Sequence, residues 1–93
     1  MLFTQEFDTL DKDLCSLHIN HDMLYKKEGN QHFYILQLPK GLEVRLPDNE
    51  NAEPEMFLVS TAPFMFTIAK AHYAKELLGK VLANIKHFNT SED

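Results

Sequence analysis

Ninety-three residues with 44% hydrophobic content and no low-complexity run predict one folded domain spanning residues 1–93, too short for two separate cores and too apolar for disorder. A net charge of −5 and a single arginine, Arg45, argue against general binding to nucleic acid or to an anionic membrane, both of which need a basic surface. One cysteine, Cys15, excludes an internal disulfide framework and fits a reducing compartment.

The N-terminus, Met1 to Glu6, has no basic region followed by an apolar run, so no signal peptide is expected. From Phe3 to Leu14, Phe3, Phe7, Leu10 and Leu14 recur at helical spacing, and Thr4 can cap a short helix from about Gln5 to Leu14. An edge strand over Leu2 to Phe7 is the alternative. From Ser16 the period changes to two, with Leu17 and Ile19 on one face of a half-buried strand, and Met23 and Tyr25 on one face of the next.

Glu28-Gly29-Asn30 is a hairpin signal, because glycine and asparagine tolerate the positive φ of tight turns. His32 to Leu38 is apolar on both faces, which predicts a central strand or one covered on each side. A second turn, Pro39-Lys40-Gly41, leads into Leu42, Val44 and Leu46 alternating with Glu43 and Arg45, an amphipathic strand. Pro47 to Pro54 reads as an exposed acidic loop, and Glu55 to Ser60 as a final strand with apolar residues on both faces.

The rest, Pro63 to about Phe88, reads as one long helix. Ser60 or Thr61 can cap it, and Pro63 suits a first helical position. Phe64, Thr67, Ala71, Ala74, Leu78, Val81, Leu82, Ile85 and Phe88 form the arc expected to face the sheet. The fold class is therefore α+β: an antiparallel sheet of four to five short strands under one long C-terminal helix, with a short N-terminal helix. The longest charge-free run, Met56 to Ala69, is interrupted by Ser60, Thr61 and Pro63 and is too short to span a bilayer. A cytoplasmic location is expected.

Catalytic signals are weak. Three glycines form no phosphate-cradling loop, and Cys15 has no glycine-rich oxyanion turn beside it. His72 and Glu76, four apart on the helix, read as a surface pair. Cys15, His18 and His21 fall in a C-x2-H-x2-H spacing of possible zinc ligands, but on a strand His18 and His21 would point to opposite faces. No cofactor is expected and no enzyme.

Gly79 costs the long helix roughly 0.5–1 kcal/mol relative to alanine, and it shares the side away from the sheet with His72, Glu76 and Ala83. Small residues there let a partner helix approach, from another protein or from a second copy in a homodimer. The acidic loop, through Asp48, Glu50 and Glu53, is a second candidate contact, and the exposed sheet surface a third. The expected function is a small acidic, non-enzymatic protein-interaction module, of the bulk type of bacterial or phage inhibitors, immunity proteins and chaperones. A small ligand- or metal-binding domain using Cys15, His18 and His21 is the alternative.

Overall fold

The computed structural model describes residues 2–48, 55–61 and 66–91, with side chains described for 5–48, 55–61 and 66–85. The elements run α1 (Leu2–Ser16), β1 (Asp22–Glu28), β2 (Gln31–Gln37), β3 (Leu42–Pro47), β4 (Met56–Ser60), β5 (Thr67–Ala71) and α2 (Ala74–Ser91). The five strands form one antiparallel sheet in chain order, β1-β2-β3-β4-β5. This is the expected α+β class, a meander with a helix at either end of the chain.

α1 forms where the helical spacing places it. Phe7, Leu10 and Leu14 are all buried on one face. It runs two residues beyond Leu14 and then stops in a Schellman cap. The Ile19 N–H donates to the Leu14 carbonyl at 3.0 Å and the His18 N–H to the Cys15 carbonyl at 3.1 Å, with His18 left-handed at φ 57°. Ile19 packs against the core cluster that includes Leu14, in keeping with the apolar contact that accompanies this cap. Leu17 to Ile19 is thus a helix terminus, not the expected strand; three alternating residues cannot outweigh the capping of a helix that already buries three side chains.

The hairpin at Gly29-Asn30 and the turn at Pro39–Gly41 stand where expected. In the first, Gly29 alone takes positive φ, 60°, as the first central residue of a type II′ turn does. In the second, Lys40 joins Gly41 in the left-handed region, at φ 65° and 73°. Thr61 closes over that turn, its hydroxyl donating to the Gly41 carbonyl at 2.8 Å. A Cβ at position 41 would lie 3.2 Å from that hydroxyl, so both backbone and space favour glycine there.

The C-terminal region departs most from expectation. Residues 67–71 are strand, and the helix begins at Ala74, eleven residues after Pro63, so it is shorter than expected. Ala-rich sequence favours helix locally, but pairing of Met56 with Ala71, Phe57 with Lys70 and Leu58 with Ala69 satisfies the open edge of β4 instead. The expected start at Pro63 lies outside the described residues. Thr61 bonds to the Gly41 turn, and the Ala74 N–H donates to Glu6 Oε2 of α1 at 2.9 Å. A carboxylate from the other helix therefore sits at the positive end of α2.

Both helices cover one face of the sheet. Phe7, Leu10 and Leu14 of α1, with Ala74, Leu77 and Val81 of α2, pack on Leu36, Val44, Leu46, Met56, Leu58 and Ala71. The predicted arc of α2 is corrected in two places: Leu77 is fully buried, while Leu82 is 37% exposed. Extrapolating one helical phase from Pro63 through a strand put the arc out of register. No helix among the described residues is long and apolar enough to cross a membrane.

Candidate functional site

The opposite face of the sheet carries no helix among the described residues. Strand alternation and pairing register place Leu24, Phe33, Ile35, Glu43, Arg45, Phe57, Val59 and Lys70 on it. Glu43 and Arg45, the polar side of the amphipathic strand, are not solvated. They are only 5% and 8% exposed. β3 is central: Ile35 and Phe57 stand directly across from Arg45, with the Phe33 ring also against its guanidinium, and Gln37 and Val59 stand across from Glu43.

Arg45 is held from several sides. Its Nε donates to Glu43 Oε2 at 3.2 Å, Nη1 lies 3.7 Å from Glu28 Oε2, and the guanidinium stands 5.5 Å from the Phe33 ring centroid. Its buried Nη2 has no hydrogen-bond partner among the described residues. A donor in that condition costs about 1–3 kcal/mol until an acceptor reaches it. Beside it, Phe33, Arg45, Phe57, Val59, Phe66 and Thr67 line an open hollow of about 220 Å³. Phe66 is 60% exposed at its rim, and the Lys70 ammonium lies 5.8 Å from the Phe57 ring centroid.

A second constellation lies at the end of α1. Asp11 and Cys15 are one helical turn apart and so share a face. The Schellman cap turns the chain back so that His21 meets both. The ring Nε2 bonds Asp11 Oδ1 and lies 3.9 Å from Cys15 Sγ, while the Nδ1–H donates to the Ile19 carbonyl at 2.8 Å. Burial of the ring, the largest single influence, opposes its charged form. The Ile19 carbonyl, the hydrogen bond and charge of Asp11, and the charge of Asp22 together outweigh it and hold the pKa above its ordinary value.

The structure therefore brings together Cys15 and His21 but not the expected third member. His18 is the left-handed residue of the cap, and Asp11 takes its place in the cluster. Asp11 escapes a sequence reading that ends the helix at Leu14 and runs a strand through His21.

Of the expected partner-binding residues, Glu76, Gly79 and Ala83 lie exposed on α2, and a Cβ at Gly79 would meet nothing within 4 Å. His72 precedes the helix, with its Nε2 3.9 Å from Glu55 Oε2, so it does not share a helical face with the other three. Glu50 and Glu53 lie outside the described residues. Asp48 accepts a hydrogen bond from the Tyr25 hydroxyl at 2.9 Å, and the same hydroxyl lies 2.8 Å from His32 Nδ1. Local burial and then Asp48 raise the Tyr25 pKa above its ordinary value, which keeps this donor protonated.

Comparison of the chain with protein-family models, with curated proteins and with solved structures finds no significant match.

Proposed function

We propose that the chain is a non-enzymatic protein-interaction module whose partner is another protein, seated on the sheet face that no described helix covers and presenting an acidic side chain to Arg45. The observation that carries this reading is the buried guanidinium with an unpartnered Nη2 beside an aromatic hollow. A carboxylate is the natural acceptor for arginine, since both are planar and can pair through two parallel bonds. Lys70 at the same hollow favours the same charge. Phe33, Phe57 and the exposed Phe66 supply apolar and aromatic area of the kind that anchors interfaces. The partner closes over the hollow that Arg45 lines and offers an acceptor to a guanidinium that has an unpartnered nitrogen among the described residues.

This choice ranks the sheet face above the exposed side of α2, where Gly79 faces open space. The test compares the intact chain with Phe66→Asp and Gly79→Leu as baits, followed by the purified partner in direct binding. Phe66 is exposed, so the aspartate leaves the core intact. Binding that survives Gly79→Leu, falls at least tenfold with Phe66→Asp, and falls again when the partner's acidic residues are neutralised supports the reading. Binding lost with Gly79→Leu and kept with Phe66→Asp transfers the site to α2. A dimer of the chain alone that Phe66→Asp dissolves makes the occupant a second copy and overturns the partner named here.

A further inference from the structure

Asp11 Oδ1, Cys15 Sγ and His21 Nε2 lie within 4.8 Å of one another, and nothing in the sheet-face reading uses them. From this geometry we infer a binding site for a single Zn²⁺-class ion at the junction of α1 and β1.

The imidazole of His21 is fixed first. Its Nδ1 faces the Ile19 carbonyl, which only accepts, so the proton at Nδ1 is fixed. With that tautomer set, Nε2 turns a lone pair toward a carboxylate oxygen and a thiol sulfur. Three potential electron-pair donors converge on one point, and the thiol joins as a donor once its proton is released to solvent. A proton on Nε2 serves the histidine and aspartate alone; a metal ion serves all three.

The donor set suits zinc in type and reach. Thiolate, imidazole and carboxylate are its three usual protein ligands, and bonds of about 2.0–2.3 Å put neighbouring ligand atoms roughly 3.3–3.8 Å apart in a tetrahedron. The Cys15–His21 separation of 3.9 Å is already close to that. The Asp11 carboxylate needs to move away from Nε2 as the ion replaces the shared proton, a change within side-chain rotation. The Ile19 carbonyl is the outer-shell acceptor that fixes the ring of a metal-binding histidine. Softness of the thiolate selects zinc-like ions over magnesium or calcium, which prefer oxygen alone.

Cys15 is exposed, so an ion can enter from solvent and the fourth position stays open to water. Once bound, the ion ties the last turn of α1 to the start of β1, across the left-handed His18 and the Ile19-Asn20 link. The folded chain is therefore stabilised by an amount that grows with the logarithm of free zinc once it exceeds Kd.

The whole chain, stripped with chelator, is titrated with Zn²⁺ by calorimetry and with Co²⁺ by absorption. One equivalent is expected, with a thiolate-to-cobalt charge-transfer band and a rise in Tm on adding zinc. Cys15→Ser should weaken binding at least tenfold and remove the band, and Asp11→Asn should also weaken it. His18→Gln should change neither affinity nor band. Serine at an exposed position preserves packing, and circular dichroism of the metal-free variants verifies the fold. Failure to bind one equivalent, a cobalt complex without the thiolate band, or equal losses from His18→Gln and Cys15→Ser would each overturn the site in favour of scattered surface-histidine binding.

Discussion

The two faces of the sheet solve burial differently. On the helix-covered face, Leu36, Val44, Leu46, Met56 and Leu58 meet six side chains from α1 and α2, and no charged residue is buried among them. On the other face, Ile35 and Val59 are just as buried, but their neighbours are Phe33, Phe57 and the Glu43–Arg45 pair, and no described helix lies over them. Aliphatic packing needs only shape and is complete within the chain. The charged pair needs hydrogen-bond acceptors as well, and one guanidinium nitrogen finds none among the described residues. A face finished by packing is a core; a face that still has an unmet polar demand is where a partner adds something.

The largest expected difference is in stability. Leu58→Ala removes a fully buried side chain between the helices and the sheet, and should destabilise the fold by about 3 kcal/mol in urea unfolding. Phe66→Ala, on the rim of the bare face, should cost no more than about 0.5 kcal/mol. Equal losses would mean that Phe66 belongs to a core of its own and would remove the contrast between the faces.

A smaller effect tests the charged pair itself. Glu43→Gln leaves Arg45 buried with a weakened counter-charge and should cost about 2 kcal/mol, whereas the double variant Glu43→Leu with Arg45→Met should recover most of it. If the double variant is as unstable as the single one, the pair is a structural necessity, and its unpartnered nitrogen says less about a partner.

Much of this plan is legible in the sequence. The four-three-four spacing of Phe3, Phe7, Leu10 and Leu14, the turns at Gly29 and Gly41 and the two-faced apolarity around His32–Leu38 and Glu55–Ser60 give an α+β meander without any pairing information. Residues 67–71 are not legible, since Thr67 and Ile68 favour a strand but Ala69, Lys70 and Ala71 favour the helix that follows, and the open edge of β4 decides it. The sites suffer from the same locality. Asp11 joins Cys15 and His21 through a backbone cap whose left-handed residue is a histidine rather than the usual glycine, so its stop signal is hidden. The burial of Arg45 is not legible either, because alternation reports direction but not the size of cross-strand neighbours. Phe33 and Phe57, flanking β3 on that same side, were the available cue.

The smallest effect belongs to the helix side, in the Asp11–His21 contact of the metal-free chain. The folded pKa of His21 is raised, so the native state holds more protons than the unfolded one between the ordinary histidine value of 6.5 and the folded value. Stability from this contact is therefore complete below about pH 6.5 and is lost as pH rises through the folded pKa. With chelator present, urea midpoints should fall modestly across that window, and Asp11→Asn should flatten the fall by removing the charge that favours the imidazolium. A slope that persists in Asp11→Asn would assign it to another group. A slope that reverses when zinc is added would follow from the ion taking the place of the proton, because deprotonated His21 and Cys15 are the forms that bind it.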